Sequence, residues 1–237
     1  MVRLSAITLQ KGFEALAEQL REQIVTGGIP AGEVINEREL VERTGLSRGS
    51  VREAFRVLET QGLVATRRGR NGGRVALRGG SEAVRSSLNL FIRGQQVPFV
   101  VLLETVQVLE PSLAELAALH RNQTDLEALE VERSKLVKTA NASRFLAANA
   151  RWHRAMAHAS HNPILTAIYD SLGPGLLDPR IAGFASAEVR AAVVQAVERV
   201  QSAIAAGDGA SARRRMEKHV RAYREMVERL APATVTL

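Results

Sequence analysis

Hydrophobic residues recur every three or four positions along most of the chain, which is the period of α-helices with one buried face. In the first third of the chain this pattern predicts helices at 9–26, about 36–45 and about 47–61. Asn36 and Ser47 precede the second and third segments, and their side chains are suited to accept hydrogen bonds from the first N–H groups of a helix. Three consecutive helices are therefore predicted.

The next segment has a different pattern. Short apolar runs that begin at Leu63 and Val75 flank a basic, glycine-rich stretch at 67–74. Two apolar runs joined by such a stretch are typical of a β-hairpin. Helices followed by a two-stranded hairpin predict a winged helix-turn-helix, and we assign this unit to residues 1–78.

Residues 79–237 form the second predicted unit. Helical spacing continues throughout, with no strand-like alternation, so we expect an all-α helical bundle and a mainly α chain. The predicted helices cover 81–93, 98–120, 125–140, 143–160, 163–172, 186–206 and 209–230. Thr124 and Glu127 have the spacing of a capping box, and Asn162 precedes a proline suited to a first helical turn. The Gly- and Pro-rich stretch 173–185 is predicted to be a loop.

Composition narrows the class of protein. The 237-residue chain has 32 Lys and Arg against 25 Asp and Glu, and its formal net charge of +7 favours an anionic partner such as nucleic acid or an acidic membrane surface. The absence of cysteine excludes disulfides and thiolate chemistry. No signal peptide or membrane-spanning stretch is evident, so we expect a soluble, cytoplasmic protein that does not bind membranes.

Arginines on the third predicted helix suggest a function for the first unit. The apolar stripe of this helix consists of Val51, Ala54, Phe55 and Leu58. A rotation of about 100° per residue turns Arg52 away from the stripe and places Arg48 at the edge of the exposed face. Arginine matches the two acceptors of guanine in the major groove, and Ser47 and Ser50 are placed to bond phosphate or base edges. The helix is therefore predicted to read DNA bases.

The predicted hairpin is also rich in arginine. Its basic residues and glycines are Arg67, Arg68, Gly69, Arg70, Gly72, Gly73, Arg74 and Arg78. Glycines let the backbone approach DNA, while arginines neutralise phosphates or enter the minor groove. Arg38, in the first turn of the second helix, is predicted to lie over the sugar-phosphate backbone. An ordinary solvated charged face is the alternative, but the order of helices and glycine-tipped hairpin favours DNA binding.

The segment ERELVERTGLSRGSVREAFRVLETQGLV, followed by RRGRNGGRV, resembles the winged-helix domain of the GntR family of bacterial regulators. The resemblance extends from Leu9 to Ala76. It implies that Arg38, Arg48 and Arg52 are principal DNA contacts and that the glycines at the hairpin tip reach the minor groove. The predicted DNA-binding residues are Arg38, Ser47, Arg48, Ser50, Arg52, Arg68, Gly69, Arg70, Gly73 and Arg74.

A few polar residues fall within the apolar stripes of the second unit. Asn149 and His153 lie one turn apart on a predicted helix that also buries Trp152, and His219 lies beside Met216 on the last helix. Polar groups that converge in a core from different helices suggest a ligand or metal site. Each histidine taken alone is more readily explained as a satisfied core or surface residue.

From residue 81 to 222 the chain resembles the FCD ligand-sensing domain of FadR-type members of the GntR family. The segments that carry this resemblance are LEPSLAELAALHR, NARWHRAMAHASHNPIL and AIAAGDGASARRRMEKHV. In many members an Asp and three His hold a divalent metal, and the matching positions here are Asn149, His153, Val197 and His219. Because valine cannot ligate, Asn149, His153 and His219 form an incomplete set for zinc or nickel, and no tightly held metal is expected.

The resemblance also bears on the effector. Many members have an arginine one turn before the glutamate of the LEP-like motif, where it grasps an effector carboxylate, and this position is Val106 here. The predicted effector pocket consists of Val106, Asn149, His153, Val197 and His219. We therefore expect an effector larger or more hydrophobic than a simple dicarboxylate, such as an acyl or aromatic compound. Loss of ligand sensing is the alternative.

The resulting hypothesis is a homodimeric transcriptional regulator, a repressor in the commoner family behaviour, that binds double-stranded operator DNA. The segment Gly79–Gly80 and the helix at 81–93 are candidates for transmitting the effector signal. A helical-bundle metal-dependent enzyme that uses His153 and His219 is the alternative, but the chain lacks an HExxH motif, a nucleophile elbow and a phosphate-binding glycine loop. Nonspecific binding to nucleoid or membrane surfaces is a third interpretation, which rests on charge alone.

Overall fold

The computed structural model describes residues 12–67, 73–77, 81–139, 141–176 and 186–230. The chain divides into two compact units, residues 1–83 and 84–237. Two separate clusters of buried apolar side chains accompany these units. This division falls a few residues after the domain boundary that the sequence predicts at 78.

The first unit contains three helices and a small antiparallel sheet. The helices are α1 (Gly12–Val25), α2 (Glu37–Thr44) and α3 (Arg48–Thr60), and the strands are β1 (Val34–Ile35), β2 (Val64–Arg67) and β3 (Gly73–Ala76). The sheet order is β1-β3-β2, with β2 and β3 forming the predicted hairpin. The two-stranded prediction missed β1, because a strand of two residues is too short to show a hydrophobic period.

Local capping sets where α2 and α3 begin. The Asn36 side chain accepts a hydrogen bond of 3.0 Å from the N–H of Arg38, and the Ser47 hydroxyl accepts one of 3.1 Å from the N–H of Ser50. Both predicted N-caps are therefore confirmed. Gly45 ends α2 in the left-handed conformation with φ of 69°, which costs little only for a residue without a Cβ.

The core of the first unit lies between α1, α3 and the sheet. Its fully buried centre comes from α3, whose side chains Val51, Ala54, Phe55 and Leu58 face inward as the periodicity predicts. Leu16, Leu20 and Ile24 of α1 pack in the same cluster. Burying one stripe of α3 leaves its opposite face to solvent.

The described part of the second unit is helical. Its helices are α4 (Ser81–Gly94), α5 (Phe99–His120), α6 (Gln123–Val137), α7 (Ala142–Ala159), α8 (Pro163–Leu176), α9 (Ala187–Ala206) and α10 (Gly209–Leu230). Helix α5 packs against α7, α8, α9 and α10, so it is the central helix. Within the described ranges, no helix is both long and apolar enough to cross a bilayer.

Two predicted boundaries in this unit are wrong. The capping box is formed by Asn122 and Asp125, not by Thr124 and Glu127, so α6 begins at Gln123. Helix α8 continues to Leu176, beyond its predicted end at residue 172, while positions 177–185 of the predicted loop lie outside the described residues. The predicted Asn162 cap is confirmed, because its side chain accepts a 3.1 Å hydrogen bond from the N–H of Leu165.

Candidate functional site

The exposed face of α3 presents arginine to solvent. The Arg52 side chain is 64% exposed, and its Nε lies 3.5 Å from Oε2 of Glu37. An exposed ion pair at this distance contributes little to stability, so the Arg52 guanidinium is available to another anion. Arg56 lies one turn further along the same face, 2.6 Å from Glu53.

Arg38 and Arg48 are exposed as well, on α2 and at the start of α3. Among the described residues, no hydrogen bond or ion pair joins either guanidinium to another side chain. Ser47 and Ser50 lie beside Arg48, with their hydroxyl oxygens 2.9 Å apart. The structure thus brings the predicted α2 and α3 contacts to the solvent side of one helix-turn-helix.

Arg74, a predicted DNA contact, is held within the first unit. Its side chain is only 17% exposed, its Nε donates to Oε1 of Glu37 at 3.1 Å, and its Nη1 donates to Glu59 and Thr66. The guanidinium also lies 5.4 Å from the centre of the Phe55 ring. Arg74 therefore ties β3 to α2, α3 and β2 through its Nε and Nη1 donors.

The electrostatics of Arg74 agree with this structural role. Burial by itself would lower the pKa of Arg74, but the hydrogen bonds and charges of Glu37 and Glu59 outweigh burial and raise it. Removing the cation would leave two carboxylates facing each other in a half-buried position, which is unfavourable. The sequence could not show this, because both carboxylates belong to other elements.

The hairpin tip is described only in part. Arg68, Gly69 and Arg70 lie outside the described residues, so their predicted contacts stay predictions. Gly73, at the start of β3, packs against β1: a Cβ there would lie 2.7 Å from Cγ1 of Val34. A glycine is needed at this position for sheet packing, whatever its contact with DNA.

A buried polar cluster lies in the second unit. Glu110 on α5 is 2% exposed, its Oε2 lies 2.9 Å from Nδ1 of His153 on α7, and its Oε1 accepts a 2.8 Å hydrogen bond from the Tyr169 hydroxyl on α8. The His153 ring is not aligned for a linear bond to the carboxylate. His153 Nε2 lies 3.3 Å from Nε2 of His219 on α10, and the two rings stack with their centres 5.3 Å apart.

Burial and mutual contact set the charge states in the cluster. Burial would raise the pKa of Glu110, but the close contact with His153 and the hydrogen bond from Tyr169 outweigh burial and lower the pKa. Burial raises the pKa of Tyr169 well above its usual value, so its hydroxyl stays a donor. Burial lowers the pKa of His219 to about 4, so this ring is neutral at pH 7.

Glu110 and Tyr169 are functional candidates that sequence reasoning missed. A signal for Glu110 existed, because it occupies the same stripe of α5 as Val106, Leu113 and Ala117, all of which are buried. A lone carboxylate in such a stripe requires buried partners. Nothing in the sequence identified Tyr169 as one of them, because it lies 59 positions away.

The remaining predicted pocket residues are placed as follows. Val106 and Val197 are buried in the apolar core of the second unit. Asn149 is half-buried, and its Oδ1 is enclosed without a hydrogen-bond partner among the described residues. A surface cleft of about 510 Å³ lies elsewhere, between α5 and α10, and the five predicted pocket residues do not line it. Its lining residues are Glu104, Gln107, Val108, Pro111, Arg213, Glu217 and Arg224.

The donor set does not fit the metal ion that the FCD resemblance implies. Val197 is a fully buried hydrocarbon, so two imidazoles and one neutral amide remain at the four matching positions. A stable zinc or nickel site usually has three or four protein ligands. Across the described ranges, no group of three or more His, Cys, Asp or Glu is arranged to hold a metal.

Comparison with known families agrees with both halves of this architecture. Residues 13–75 match the model of the bacterial regulatory proteins of the gntR family, and residues 101–222, more than half of the chain, match the FCD domain. The chain belongs to the GntR family. It is a GntR-family regulator with a winged helix-turn-helix and an FCD domain.

Several curated relatives of this GntR-family chain are transcription regulators by name. The Uxu operon transcriptional regulator of Escherichia coli is 31% identical over 170 residues, which are 70% of this chain and 65% of that protein. The Glc operon transcriptional activator of Escherichia coli is 28% identical over 67% of this chain and 65% of that protein. The chain therefore spans about two thirds of the length of these two relatives.

A relative with fuller coverage and a solved structure complete the comparison. The HTH-type transcriptional regulator LutR of Bacillus subtilis is 28% identical over 81% of this chain and 89% of that protein. The structure of a Streptococcus agalactiae GntR protein aligns with a TM-score of 0.67 over 90% of this chain and 99% of that chain, at 22% identity. The structural likeness shows a shared fold.

Proposed function

We propose that this chain is a sequence-specific, DNA-binding transcriptional repressor of the FadR-type subgroup, controlled by a small molecule bound in its FCD domain. As a regulator of transcription it acts on double-stranded operator DNA in the cytoplasm. The names of its relatives support regulation as its role, in place of catalysis with His153 and His219.

One observation carries the DNA-binding part of this proposal. Arg38, Arg48 and Arg52 are exposed on α2 and α3, and none of them is held by a strong ion pair among the described residues. An exposed arginine at the N-terminal part of a recognition helix suits guanine in the major groove. Arg38 and the hairpin arginines then supply contacts to the phosphates.

A homodimer is the assembly that this function favours. A two-fold protein reads a two-fold operator, and two half-sites joined in one complex bind far more tightly than one. The helix α4, with the segment Gly79–Gly80 before it, is our candidate for passing the effector signal to the DNA-binding unit. Light scattering of the free protein and of its operator complex tests the stoichiometry.

Competition binding tests sequence specificity directly. A labelled fragment of the intergenic DNA upstream of the protein's own gene is bound in fluorescence anisotropy, and unlabelled specific or random duplex competes at fixed salt. Specific recognition predicts that random duplex competes at least ~1,000-fold less well. Equal competition by all duplexes would support binding through charge alone and contradict the proposal.

The effector is tested in the same assay. Val106 stands where many family members have an arginine, and Val197 is a buried apolar side chain. Both residues support a ligand with an acyl or aromatic group. We expect such compounds, and not small dicarboxylates, to lower operator affinity, and a reporter gene to show release of repression. If every compound leaves the affinity unchanged, the alternative of lost ligand sensing gains support.

A further inference from the structure

We propose that one face of helix α4, formed by Val84, Ser87, Leu90 and Phe91, is the surface through which two copies of this chain associate. The inference rests on the homodimer of the proposed function, and it adds where on each protomer the second copy binds. It concerns apolar side chains that the packing of the second unit leaves uncovered.

Three large apolar side chains of α4 are exposed to solvent. Val84 is 46% exposed, Phe91 is 59% exposed and Leu90 is 75% exposed. A single exposed apolar residue is common on protein surfaces, whereas a group of them on one surface indicates a binding site for a partner. All three belong to one helix of 14 residues, so they are close together.

Helix α4 is held only lightly by its own unit. In the described part of the second unit, the extensive contacts between helices join α5 to α10 and leave α4 out. Ile92 is buried in the core, Leu88 is partly buried against it, and the Asn89 amide donates a 3.4 Å hydrogen bond to the carbonyl oxygen of Ser171 on α8. Helices of about 12–15 residues are marginal in water without tertiary packing. A second packing partner would therefore stabilise α4.

The exposed apolar residues share one face of this helix. At about 100° per residue, Ser87 lies about 140° around the helix from the buried Ile92. Val84 and Leu90 lie about 60° to either side of Ser87, and Phe91 lies two turns beyond Val84 on the same side. The face therefore has a small residue at its centre and large apolar residues on both flanks.

The charge of this face favours a second copy as its occupant. Within residues 84–94 the charged residues are Arg85 and Arg93, which lie about 160° and about 120° around the helix from Ser87. DNA and acidic membrane surfaces bind through Lys and Arg, so this uncharged face does not suit them. Two copies that each have a net charge of +7 repel each other, and an uncharged face is where they approach with the least repulsion.

The order of residues on this face is self-complementary. In a two-fold dimer both copies use the same patch, so each contact between two different residues occurs twice. When two α4 helices pack antiparallel with the two-fold axis beside Ser87, positions three residues before and after it come level. Val84 of one copy then packs beside Leu90 of the other. The small Ser87 at the axis lets the two helices approach closely.

A charge introduced on this face tests the proposal. Leu90→Glu places a carboxylate in the apolar contact, and Val131→Glu is the matched control, because Val131 is also an exposed apolar residue, on α6. Sedimentation and light scattering of the full-length chain over a range of concentrations measure the dimer dissociation constant. We expect Leu90→Glu to raise this constant at least ~30-fold, because an unpaired charge would be buried in the dimer. Val131→Glu should leave it unchanged, and circular dichroism establishes that both variants fold.

An engineered disulfide tests the position of the two-fold axis. The chain contains no cysteine, so Ser87→Cys introduces a single thiol in each protomer. A disulfide needs Cα atoms within ~7 Å, which residues beside a two-fold axis satisfy. We expect mild oxidation to convert Ser87→Cys to a covalent dimer on a non-reducing gel. Ser86→Cys is the control, because this neighbouring exposed serine lies about 100° away around the helix and should stay largely monomeric on the gel.

The outcomes separate this face from the homodimer itself. If the unsubstituted protein is a dimer, and Leu90→Glu and Ser87→Cys behave like their controls, the α4 face is refuted and the homodimer stands. If the unsubstituted protein is a monomer at every concentration, the homodimer and the α4 face are both wrong. Should Leu90→Glu fail to fold, the disulfide decides, because Ser87→Cys is a conservative change at an exposed position.

Discussion

The two units use charged and polar side chains in opposite ways. In the first, Arg38, Arg48 and Arg52 are exposed and weakly engaged, so they remain free to meet an external anion. In the second, Glu110 and His153 are buried, with Oε2 of Glu110 2.9 Å from Nδ1 of His153. A surface that binds a polymer keeps its charges in water, whereas a core tolerates charge only when it is paired.

Arg74 shows that the same contrast exists inside the first unit. It belongs to β3 of the arginine-rich hairpin, yet Glu37 and Glu59 hold it in a half-buried network. These contacts join β3 to both α2 and α3. Whether an arginine is free to bind an external anion therefore depends on its exposure and on its ion pairs within the protein, and not on residue type alone.

The largest effect is expected in the core of the second unit. Trp152→Ala should destabilise this unit by about 3–5 kcal/mol, because it removes a fully buried ring and leaves a cavity. Calorimetry should show that the second unit unfolds at a lower temperature, while the unfolding temperature of the first unit stays the same. The exposed Leu119→Ala is the control; equal losses in both units would show that the two cores unfold together.

Next is the paired substitution Arg48→Ala with Arg52→Ala. Each lost base contact costs about 1–3 kcal/mol, so the loss of two should lower operator affinity by at least ~30-fold, with little change for random duplex. Anisotropy measures both affinities. Arg221→Ala, an exposed and ion-paired arginine of α10, should leave them unchanged. If the double variant kept wild-type specificity, the prediction that α3 recognises the bases would be wrong.

Arg74→Met should have a smaller effect, and on stability. It keeps an apolar stem near Phe55 but leaves Glu37 and Glu59 without their cation, at a cost of about 2 kcal/mol in the first unit. Urea unfolding measures this cost. Arg56→Met, which breaks an exposed pair with Glu53, should cost less than about 0.5 kcal/mol. Full stability with lost operator affinity would instead identify Arg74 as a DNA contact.

The smallest effect is expected at the wing tip. Arg70→Ala should weaken specific and random duplexes by similar factors and reduce the slope of log affinity against log salt by about 1, because one phosphate contact is lost. Titration at several salt concentrations measures the slope. A loss confined to the operator would show that Arg70 reads sequence.

Much of the first unit could be predicted from its sequence. The inward stripe of α3 and the caps Asn36 and Ser47 follow from local rules, since a helix period and a capping hydrogen bond involve residues close in the chain. The exposure of Arg48 and Arg52 follows from the same period. The strand β1 could not be predicted, because its two residues form a strand only by pairing with β3.

The sequence alone determined which helices form, which of their faces are apolar and which arginines remain on the opposite face. Only the tertiary structure decided that Arg74 turns inward to Glu37 and Glu59, and that Tyr169, Glu110, His153 and His219 meet in one buried cluster. The physical reason is the distance along the sequence between the residues that interact. Periodicity and capping act over a few residues, whereas these contacts join side chains 15 to 66 positions apart, which only the packing of whole elements brings within hydrogen-bond distance.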